Sequence, residues 1–420
     1  MKSRKILVWF RNDLRLYDNE MLVEAIAKSD SILPVYFFDP VYFAGHQPHC
    51  KERKCKRFRF LIESVAALRE AFLQIGGNLL VINGHPEDQM PALIEKYEIT
   101  EVYHHREVAN AETSVSSRVE DLLWKLKVNL RHFIGHTLYN KEDLPFPIKD
   151  IPDVFAQFKK KTERDSIVKA CFAAPVSVNL VEVEDWGVLP GIPALAEYPT
   201  GGEQQGLAHL HGLLEEGAAI YDRPGGKIHG EKLFFSSKLS PWLALGCLSP
   251  RKVFWAVKHA EGKFSTHPNF SHLILGLLWR DYFRFMFKKH TVHFFSDIVP
   301  DIQPEWTPEE YAGQLMQWKQ ASTGHPLVDK YMAELNHTGF ISHSGRLLVA
   351  TYLIYIQKLN WLDGVSYFEE KLIDYSPASN WGNWANVAMG GKTPRSKNTF
   401  DLDKYLKILD PEVLDSSVHL

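Results

Sequence analysis

The first 135 residues alternate short apolar runs with helical segments, and this alternation constrains the fold more than any other feature of the chain. The apolar runs are typical of buried strands and cover residues 5–10, 31–38, 78–83, 100–105 and 130–135. The helical segments between them lie around residues 19–28, 56–75, 86–97 and 112–127. Strands that alternate with helices of this length form right-handed βαβ units around a parallel sheet. We therefore expect a doubly wound α/β domain over residues 1–135.

The pattern changes after residue 135. Prolines interrupt residues 136–201, which predicts a connector between two domains. From residue 202 the strand signals vanish and helical periodicity takes over, as in FSHLILGLLWRDYFRFMFKK. A chain of 420 residues is also too long for one typical domain. The sequence thus predicts an α/β plus all-α fold, with an all-helical second domain over residues 202–420.

Composition excludes several classes of protein. The chain carries 48 basic and 51 acidic residues, so an anionic partner would have to meet a local basic patch. Its four cysteines lack the spacing of a zinc site, and we expect no metal. No apolar stretch reaches the roughly 18 residues of a membrane helix, and the run at residues 6–10 is too short for a signal peptide. The sequence indicates a cytoplasmic protein with no membrane partner.

Tryptophans are concentrated in the helical half. Eight of the eleven lie there, which favours a domain built around a large flat ligand. The stretch DYSPASNWGNWANVAMGG sets Trp381 and Trp384 among small and polar residues that shield an indole poorly. Core packing is sufficient for any one tryptophan of the set, but together they could also relay electrons.

Two basic motifs are candidates for anion binding. Ser236, Ser237 and Ser240 surround Lys238 just before an apolar helical run, an arrangement that suits an anion or an ordinary helix cap. The charges Arg280, Arg284 and Lys288 follow each other at helical spacing and are flanked by aromatic residues. Such a stripe suits a phosphate-bearing ligand or a nucleic-acid strand, and a solvated charged face is the alternative.

Longer motifs occur in a characteristic order along the chain. They are WFRNDLRLYDNEML, TLYNKEDLPFPIKDIPDVFAQFKKK, FSSKLSPWLALGCLSPR, LLWRDYFRF, TGHPLVDKYMAELNHTGF and LIDYSPASNWGNW. In this order they resemble the photolyase/cryptochrome flavoproteins, and within them most closely the DASH cryptochromes, over residues 4–395. The resemblance implies an N-terminal antenna domain and a C-terminal helical domain that holds FAD without a covalent link.

The resemblance also implies which residues bind the cofactor. The phosphate side of FAD would contact the residues Tyr221, Ser236, Ser237, Lys238 and Ser240, and Arg280 would bind the diphosphate. Leu239 and Trp279 would also belong to the cofactor site. Arg346 and Asp374 would form an ion pair beside the isoalloxazine, and Asn380 would face flavin N5. The antenna chromophore, a folate such as methenyltetrahydrofolate or another pigment, would lie near Glu107.

An electron-transfer chain follows from the same resemblance. Trp384 would be the first donor to the photoexcited flavin, and Trp361 would follow it. The outer donor would be Trp306, with Trp318 as the less favoured alternative. His343 would lie where a substrate meets the flavin and could donate a proton near neutral pH.

The sequence departs from the family's pyrimidine-dimer photolyases at residues that contact the lesion. Gly276 stands in place of a carboxylate, and His343-Ser344 replaces an Asn-Arg pair. A histidine at position 343 is typical of (6-4) photolyases, but Leu347 replaces their second active-site histidine. Three functions therefore stay open. One is light-driven repair of pyrimidine dimers in DNA, single-stranded rather than duplex, by a deoxyribodipyrimidine photolyase. The second is a blue-light photoreceptor that signals through flavin redox state, and the third is a flavoprotein whose substrate pocket is vestigial.

Overall fold

The computed structural model describes residues 3–40, 56–191, 199–221, 236–264, 268–290 and 306–389. Within these ranges the chain forms two compact units. The first comprises Met1–Pro224 and Leu239–Lys289, and the second comprises Gly225–Lys238 and His290–Leu420. The helices between residue 202 and Lys289 thus belong to the same unit as the sheet. The domain boundaries at residues 135 and 201 stay predictions from sequence.

Five parallel strands form the sheet of the first unit. They are β1 (Lys5–Phe10), β2 (Ser31–Phe38), β3 (Leu80–Asn83), β4 (Glu101–His105) and β5 (Asn129–Phe133). The strand order is β3-β2-β1-β4-β5, and each neighbouring pair is parallel. The doubly wound parallel sheet expected from the alternating pattern is confirmed. Because the order reverses between β1 and β4, the carboxyl ends of these two strands flank the crevice where open α/β sheets bind ligands.

The helices of the first unit cover the sheet and extend beyond the connector. They are α1 (Glu20–Lys28), α2 (Lys56–Gln74), α3 (Pro86–Tyr97), α4 (Asn110–Lys125), α5 (Phe155–Asp165), α6 (Glu203–Tyr221), α7 (Ser240–Ala244), α8 (Pro250–Phe264) and α9 (Pro268–His290). The core between sheet and helices includes Leu7, Val35, Val102 and Val119, none exposed by more than 1%. Strands buried on both faces explain why the sequence shows continuous apolar runs.

The described part of the second unit is helical. Its helices are α10 (Pro308–Lys319), α11 (Pro326–Thr338), α12 (His343–Thr351), α13 (Trp361–Lys371) and α14 (Pro377–Ala388), with a π-helical turn over Tyr352–Ile356. Side-chain oxygens cap several of these helices, as Ser342 does by accepting a hydrogen bond from the amide of Gly345 at 3.1 Å. Helix α14 packs against both α12 and α13, so residues of these three helices converge.

A buried ion pair fixes the loop after β1. Asp18 and Arg251 form a two-point contact, with Nη2–Oδ1 and Nε–Oδ2 distances of 2.7 and 3.0 Å. The Ser249 hydroxyl and the Phe172 amide donate to the same carboxylate, and the guanidinium of Arg15 donates to the Asp18 carbonyl. Asp18 is 1% exposed and adopts a left-handed backbone conformation with φ 55°. The loop between β1 and α1 is therefore held by charges in the interior of the first unit.

Two findings concern absent features. Across the described helices, none combines the length and the apolar character needed to cross a bilayer. In the same part of the chain, no three His, Cys, Asp or Glu side chains are arranged to hold a metal ion.

Candidate active site

A pocket in the second unit collects five of the site residues expected from sequence. Its walls come from α12, α13, α14 and the segment before α14, and they include His343, Arg346, Asp374, Asn380 and Trp384. The space between these walls is about 430 Å³ and is partly open to solvent. Residues up to 41 positions apart in sequence, His343 and Trp384, thus meet at one concave site.

An ion pair lies in the pocket wall. Arg346 Nη2 is 2.7 Å from Asp374 Oδ2, and Arg346 Nε donates to the carbonyl of Ile341 at 3.0 Å. The guanidinium carbon also lies 5.3 Å from the centre of the Phe340 ring. The expected pairing of Arg346 with Asp374 is therefore present in the geometry.

The second carboxylate oxygen of Asp374 has no hydrogen-bond partner among the described residues, although it is buried. A buried acceptor that lacks a partner is costly, and such an atom in a pocket-lining residue suits a ligand with a hydroxyl or ring N–H donor. The pocket therefore has a place for a polar, hydrogen-bonding edge of a bound molecule.

Asn380 has a fixed side-chain amide. Its Nδ2 donates to the carbonyl of Val365 at 3.1 Å, and the residue is 7% exposed. The amide nitrogen carries a second N–H and Oδ1 can accept, so the amide can offer a ligand either a donor or an acceptor. Asn380 thus presents a polar group of fixed position at the pocket.

His343 begins α12 and opens toward solvent at the pocket. Desolvation of the part of the ring that contacts pocket atoms, followed by repulsion from Arg346, lowers the pKa of His343. The imidazole is therefore neutral at pH 7 in the protein without ligand. The sequence-based expectation of proton donation near neutral pH needs a bound anion that raises this pKa.

Trp384 packs at the pocket wall in a space left by a glycine. Its ring is 2% exposed and contacts the rings of Phe368 and Trp318, with centroid distances of 5.1 and 6.3 Å. Gly364 of α13 lies against the indole, and a Cβ at position 364 would overlap the Trp384 ring. The close approach of α13 to Trp384 therefore depends on a residue without a side chain.

The other tryptophans of the expected chain differ in exposure. Trp361 is 1% exposed and contacts Trp381 edge-on at 5.8 Å, which agrees with a packing role for Trp381. Trp306 is partly exposed and donates its indole N–H to the carbonyl of Gln357 at 2.7 Å. Trp318 is fully buried and contacts Trp384 directly. Between the two candidates for the outer donor, Trp306 has surface in contact with solvent and Trp318 has none.

The residues expected at the phosphate side lie near α6 and α7. Tyr221 is the last residue of α6, and its side chain lies outside the described part. Leu239 occupies the N-cap position of α7 without a side-chain cap, and Ser240 begins the helix. Lys238 is exposed and has a left-handed backbone conformation with φ 51°. The N-cap position expected for a serine is thus taken by Leu239.

Trp279 and Arg280 are engaged by groups of the first unit. Trp279 stacks on Phe155 with 3.6 Å between ring centroids. Arg280 donates to the carbonyls of His136 and Leu243, the latter at 3.0 Å. Burial, with a contribution from Arg284, lowers the pKa of Arg280 to about 9. Its assignment to the FAD diphosphate therefore stays a prediction.

The basic stripe on α9 does not form an open anion-binding surface. Arg284 is 7% exposed and donates to Glu107 Oε2 at 2.9 Å. Arg284 is therefore neither part of a solvated face nor accessible to a nucleic-acid strand. Both of these interpretations are wrong for the central residue of the stripe. Helical spacing showed that the three charges share a face, but it could not show that the face is packed inside the first unit.

Glu107 lies inside the crevice at the carboxyl ends of β1 and β4. It is 1% exposed, and its Oε1 accepts from Asn12 at 3.1 Å and lies 3.3 Å from His136 Nε2. Burial favours a high pKa for Glu107, but Arg284 and Arg11 outweigh it and lower the pKa. Both carboxylate oxygens of Glu107 thus already have partners among the protein side chains. This geometry does not favour Glu107 as an antenna contact.

Sequence reasoning missed this polar crevice. The signal was present in the letters RND, residues 11–13, which follow directly after the buried strand β1. Polar residues at the carboxyl end of a central parallel strand indicate a crevice in a doubly wound sheet. The structure shows that in this chain the crevice is filled by side chains of the protein itself.

Glu112 in the same crevice leads to a pH-dependent prediction. Burial, together with the charge of Glu107, raises its pKa from 4.5 to about 8, so the native state holds a proton that the unfolded chain has lost. This group therefore lowers the free energy of unfolding by about 1.4 kcal/mol per pH unit as pH rises from about 4.5 to 8. Glu112→Gln should remove that slope, measured by urea unfolding between pH 5 and 8. The exposed Glu95→Gln is the control and should keep it; an unchanged slope in Glu112→Gln contradicts the prediction.

Comparison with known proteins agrees with the geometry. Residues 6–176 match the family model for DNA photolyase, and residues 273–413 match that for the FAD binding domain of DNA photolyase. The chain belongs to the photolyase/cryptochrome family of FAD-binding proteins. Its similar relatives within that family are cryptochromes DASH. One from Gloeobacter violaceus is 38% identical over 98% of this chain and 84% of the relative.

Two further matches extend the comparison. A chloroplastic/mitochondrial cryptochrome DASH of Arabidopsis thaliana is 34% identical over 97% of this chain and 74% of the relative. The crystal structure of a Synechocystis cryptochrome superimposes with a TM-score of 0.84 at 35% identity, over 98% of this chain and 88% of that one. The α/β antenna domain and helical FAD-binding domain expected from sequence are thereby confirmed as the fold class.

Proposed function

We propose that this blue-light flavoprotein binds FAD in the pocket of the second unit and draws electrons to it through Trp384. The observation that carries the proposal is the pocket itself, where the Arg346–Asp374 pair, the Asn380 amide and Trp384 meet. These residues lie inside the segment matched by the FAD-binding model. When bound, FAD supplies absorption of blue light and acceptance of single electrons.

The chain's own residues have separate tasks in this proposal. Asp374 Oδ1 would accept a hydrogen bond from the cofactor, and Arg346 holds that carboxylate in place. The Asn380 amide would face the reacting edge of the ring system. Trp384, buried and oxidisable, supplies an electron from the pocket wall, and Trp361 and then Trp306 restore it. The phosphate-side assignments of Tyr221, residues 236–240, Trp279 and Arg280 rest on the sequence resemblance.

Asp374→Asn is expected to weaken FAD binding. The substitution keeps the volume but removes the charge that pairs with Arg346 and weakens the unpartnered acceptor. A hydrogen bond to a charged group contributes about 1.5–3 kcal/mol, so Kd should rise roughly 10- to 100-fold. Flavin fluorescence titration of the cofactor-depleted protein measures this. Glu309→Gln, an exposed acid of the same unit, should leave Kd unchanged; equal affinity in both variants would count against the site.

Light-driven repair of pyrimidine dimers in single-stranded DNA is the second candidate function. Support comes from the photolyase family models and from His343, which is exposed at the pocket and uncharged at pH 7. A neutral imidazole can donate or accept a hydrogen bond to a flipped base. Gly276 and Ser344 provide neither the carboxylate nor the guanidinium of the pyrimidine-dimer photolyases.

One assay separates repair from signalling. Protein with chemically reduced flavin is illuminated with single-stranded and duplex oligonucleotides that carry either a cyclobutane dimer or a (6-4) product. Lesion loss in the light but not in the dark establishes repair, and the strand and lesion that react define the substrate. Photoreduction without loss of any lesion favours the photoreceptor that signals through flavin redox state.

Two expectations from sequence remain proposals. The first is that a folate or another antenna pigment binds the first unit. Glu107 is the contact expected from sequence, but its burial among protein partners does not favour that role. Gentle purification followed by absorption spectroscopy, with added methenyltetrahydrofolate, tests for it. The cytoplasmic location is the other expectation, and fractionation of the source cells tests it.

A further inference from the structure

Trp384 also contacts aromatic rings that do not belong to the expected Trp384–Trp361–Trp306 electron-transfer chain. Trp384 meets Trp318 with 6.3 Å between centroids and an interplanar angle of 71°. Trp318 in turn meets Tyr367 with 5.6 Å between centroids and an angle of 62°. The three oxidisable rings are exposed by 2%, 0% and 8%, respectively, so the contacts are protein-lined. They form a continuous row that begins at the pocket and ends at a phenol.

Trp318 and Tyr367, the two members of this row beyond Trp384, are held in place by hydrogen bonds. The indole N–H of Trp318 donates to the carbonyl of Val349 at 3.0 Å. The Tyr367 hydroxyl lies 2.6 Å from Asn336 Oδ1 and 3.0 Å from the Lys319 carbonyl, both acceptors. Because each ring is fixed by a hydrogen bond as well as by packing, the ring-to-ring distances are a stable property of the second unit.

The surroundings of Tyr367 determine how it can be oxidised. The ammonium groups of Lys319 and Lys371 lie 5.5 and 5.3 Å from the ring centre. Two cations beside the ring disfavour a positively charged phenol. Burial raises the pKa of Tyr367 to about 12, with Glu370 adding to the rise, so the phenol is protonated before oxidation. Loss of an electron from Tyr367 must therefore be accompanied by loss of its proton.

We propose that Trp318 and Tyr367 form a second electron-donating branch that joins the Trp384–Trp361–Trp306 chain at Trp384. The proposal rests on the proposed function, since the oxidant is the photoexcited isoalloxazine. One electron passes from Trp384 to that oxidant, one from Trp318 to Trp384, and one from Tyr367 to Trp318. The O–H bond of Tyr367 breaks, and its proton is released to solvent, with which the residue keeps 8% of its surface in contact. The branch ends on a neutral tyrosyl radical.

The test uses FAD-loaded protein in which Trp306→Phe blocks the outer end of the first chain. Illumination should produce a tyrosyl radical, identified in the electron paramagnetic resonance spectrum by the narrowing that ring-deuterated tyrosine causes. Tyr367→Phe in this background should abolish the signal, and so should Trp318→Phe. Tyr355→Phe is the matched control, because this tyrosine also donates to a backbone carbonyl in the same unit, and it should retain the signal.

A second measurement needs no cofactor. In FAD-free protein the Trp318–Trp384 pair should give an exciton couplet in circular dichroism that either Trp318→Phe or Trp384→Phe removes. A tyrosyl signal that survives Tyr367→Phe, or an absent couplet in the parent protein, overturns the branch. If Trp384→Phe abolishes photoreduction and no tyrosyl radical forms in Trp306→Phe, the branch is wrong and the proposed function stands. If Trp384→Phe leaves photoreduction intact, both are wrong.

Discussion

Trp384→Phe is expected to abolish light-driven reduction of bound FAD, or to slow it sharply, while the protein retains its full FAD content. Phenylalanine fills most of the indole's space against Phe368 and Gly364, so the pocket wall persists. A benzene ring is far harder to oxidise than an indole, and both rows of aromatic residues lose their common first member. Absorbance of the oxidised flavin during anaerobic illumination gives the rate.

The control for this variant is Trp381→Phe. Trp381 lies three residues earlier on the same helix, but its ring contacts Trp361 and it does not line the pocket. The two variants therefore change the same residue type on one helix and differ in access to the cofactor. Rates equal to the parent protein in both would show that the electron enters by another route, and the assigned donor would be wrong.

Asp18→Asn is expected to cause the largest loss of stability. Asparagine keeps the shape of the side chain and tolerates the left-handed backbone at this position, so the change is confined to the charge. It leaves Arg251 buried without a counter-ion, beside the buried guanidinium of Arg15. Removing one partner of a buried ion pair costs about 3–5 kcal/mol, a large share of the roughly 5–15 kcal/mol that stabilises a typical protein.

Urea unfolding followed by circular dichroism measures the effect of Asp18→Asn. Asp121→Asn, an exposed residue of α4, is the matched control and should change the free energy of unfolding by less than about 0.5 kcal/mol. Adding Arg251→Met should recover part of the loss, because an apolar side chain in that space needs no counter-ion. A loss of less than 1 kcal/mol in Asp18→Asn would mean that water or another group compensates Arg251.

The sheet could be predicted because its chemistry is local. Residues 5–10 and 31–38 were identified as strands to the residue, since strands buried on both faces must be apolar throughout. The strand predicted at 78–83 is two residues too long, because Leu79 continues the apolar pattern and the polar Asn78 gives no signal to end it, while pairing with β2 starts at Leu80. The local sequence pattern is thus sufficient to predict that these strands exist, but it predicts their first and last residues less accurately.

The site could be predicted only in part, because sequence spacing does not state which faces meet. Arg346, Asp374, Asn380 and Trp384 were assigned through motifs, and the structure brings them to one pocket. The burial of Arg284 depends on the packing of α9 inside the first unit. The contact between Trp318 and Trp384 joins residues 66 positions apart, on helices whose relative orientation no periodicity encodes.

Gly364 gives the protein an adjustable spacing. The position of the Trp384 indole is set by an absent side chain on another helix, so the gap between the proposed flavin site and the proposed electron donor can change while the chemistry of that donor does not. Any larger residue at position 364 has to displace either the indole or the backbone of α13. Since electron transfer weakens steeply with separation, the photochemical yield of this pocket is then a function of how closely two helices can approach. A methyl group that never touches the cofactor would be enough to alter it.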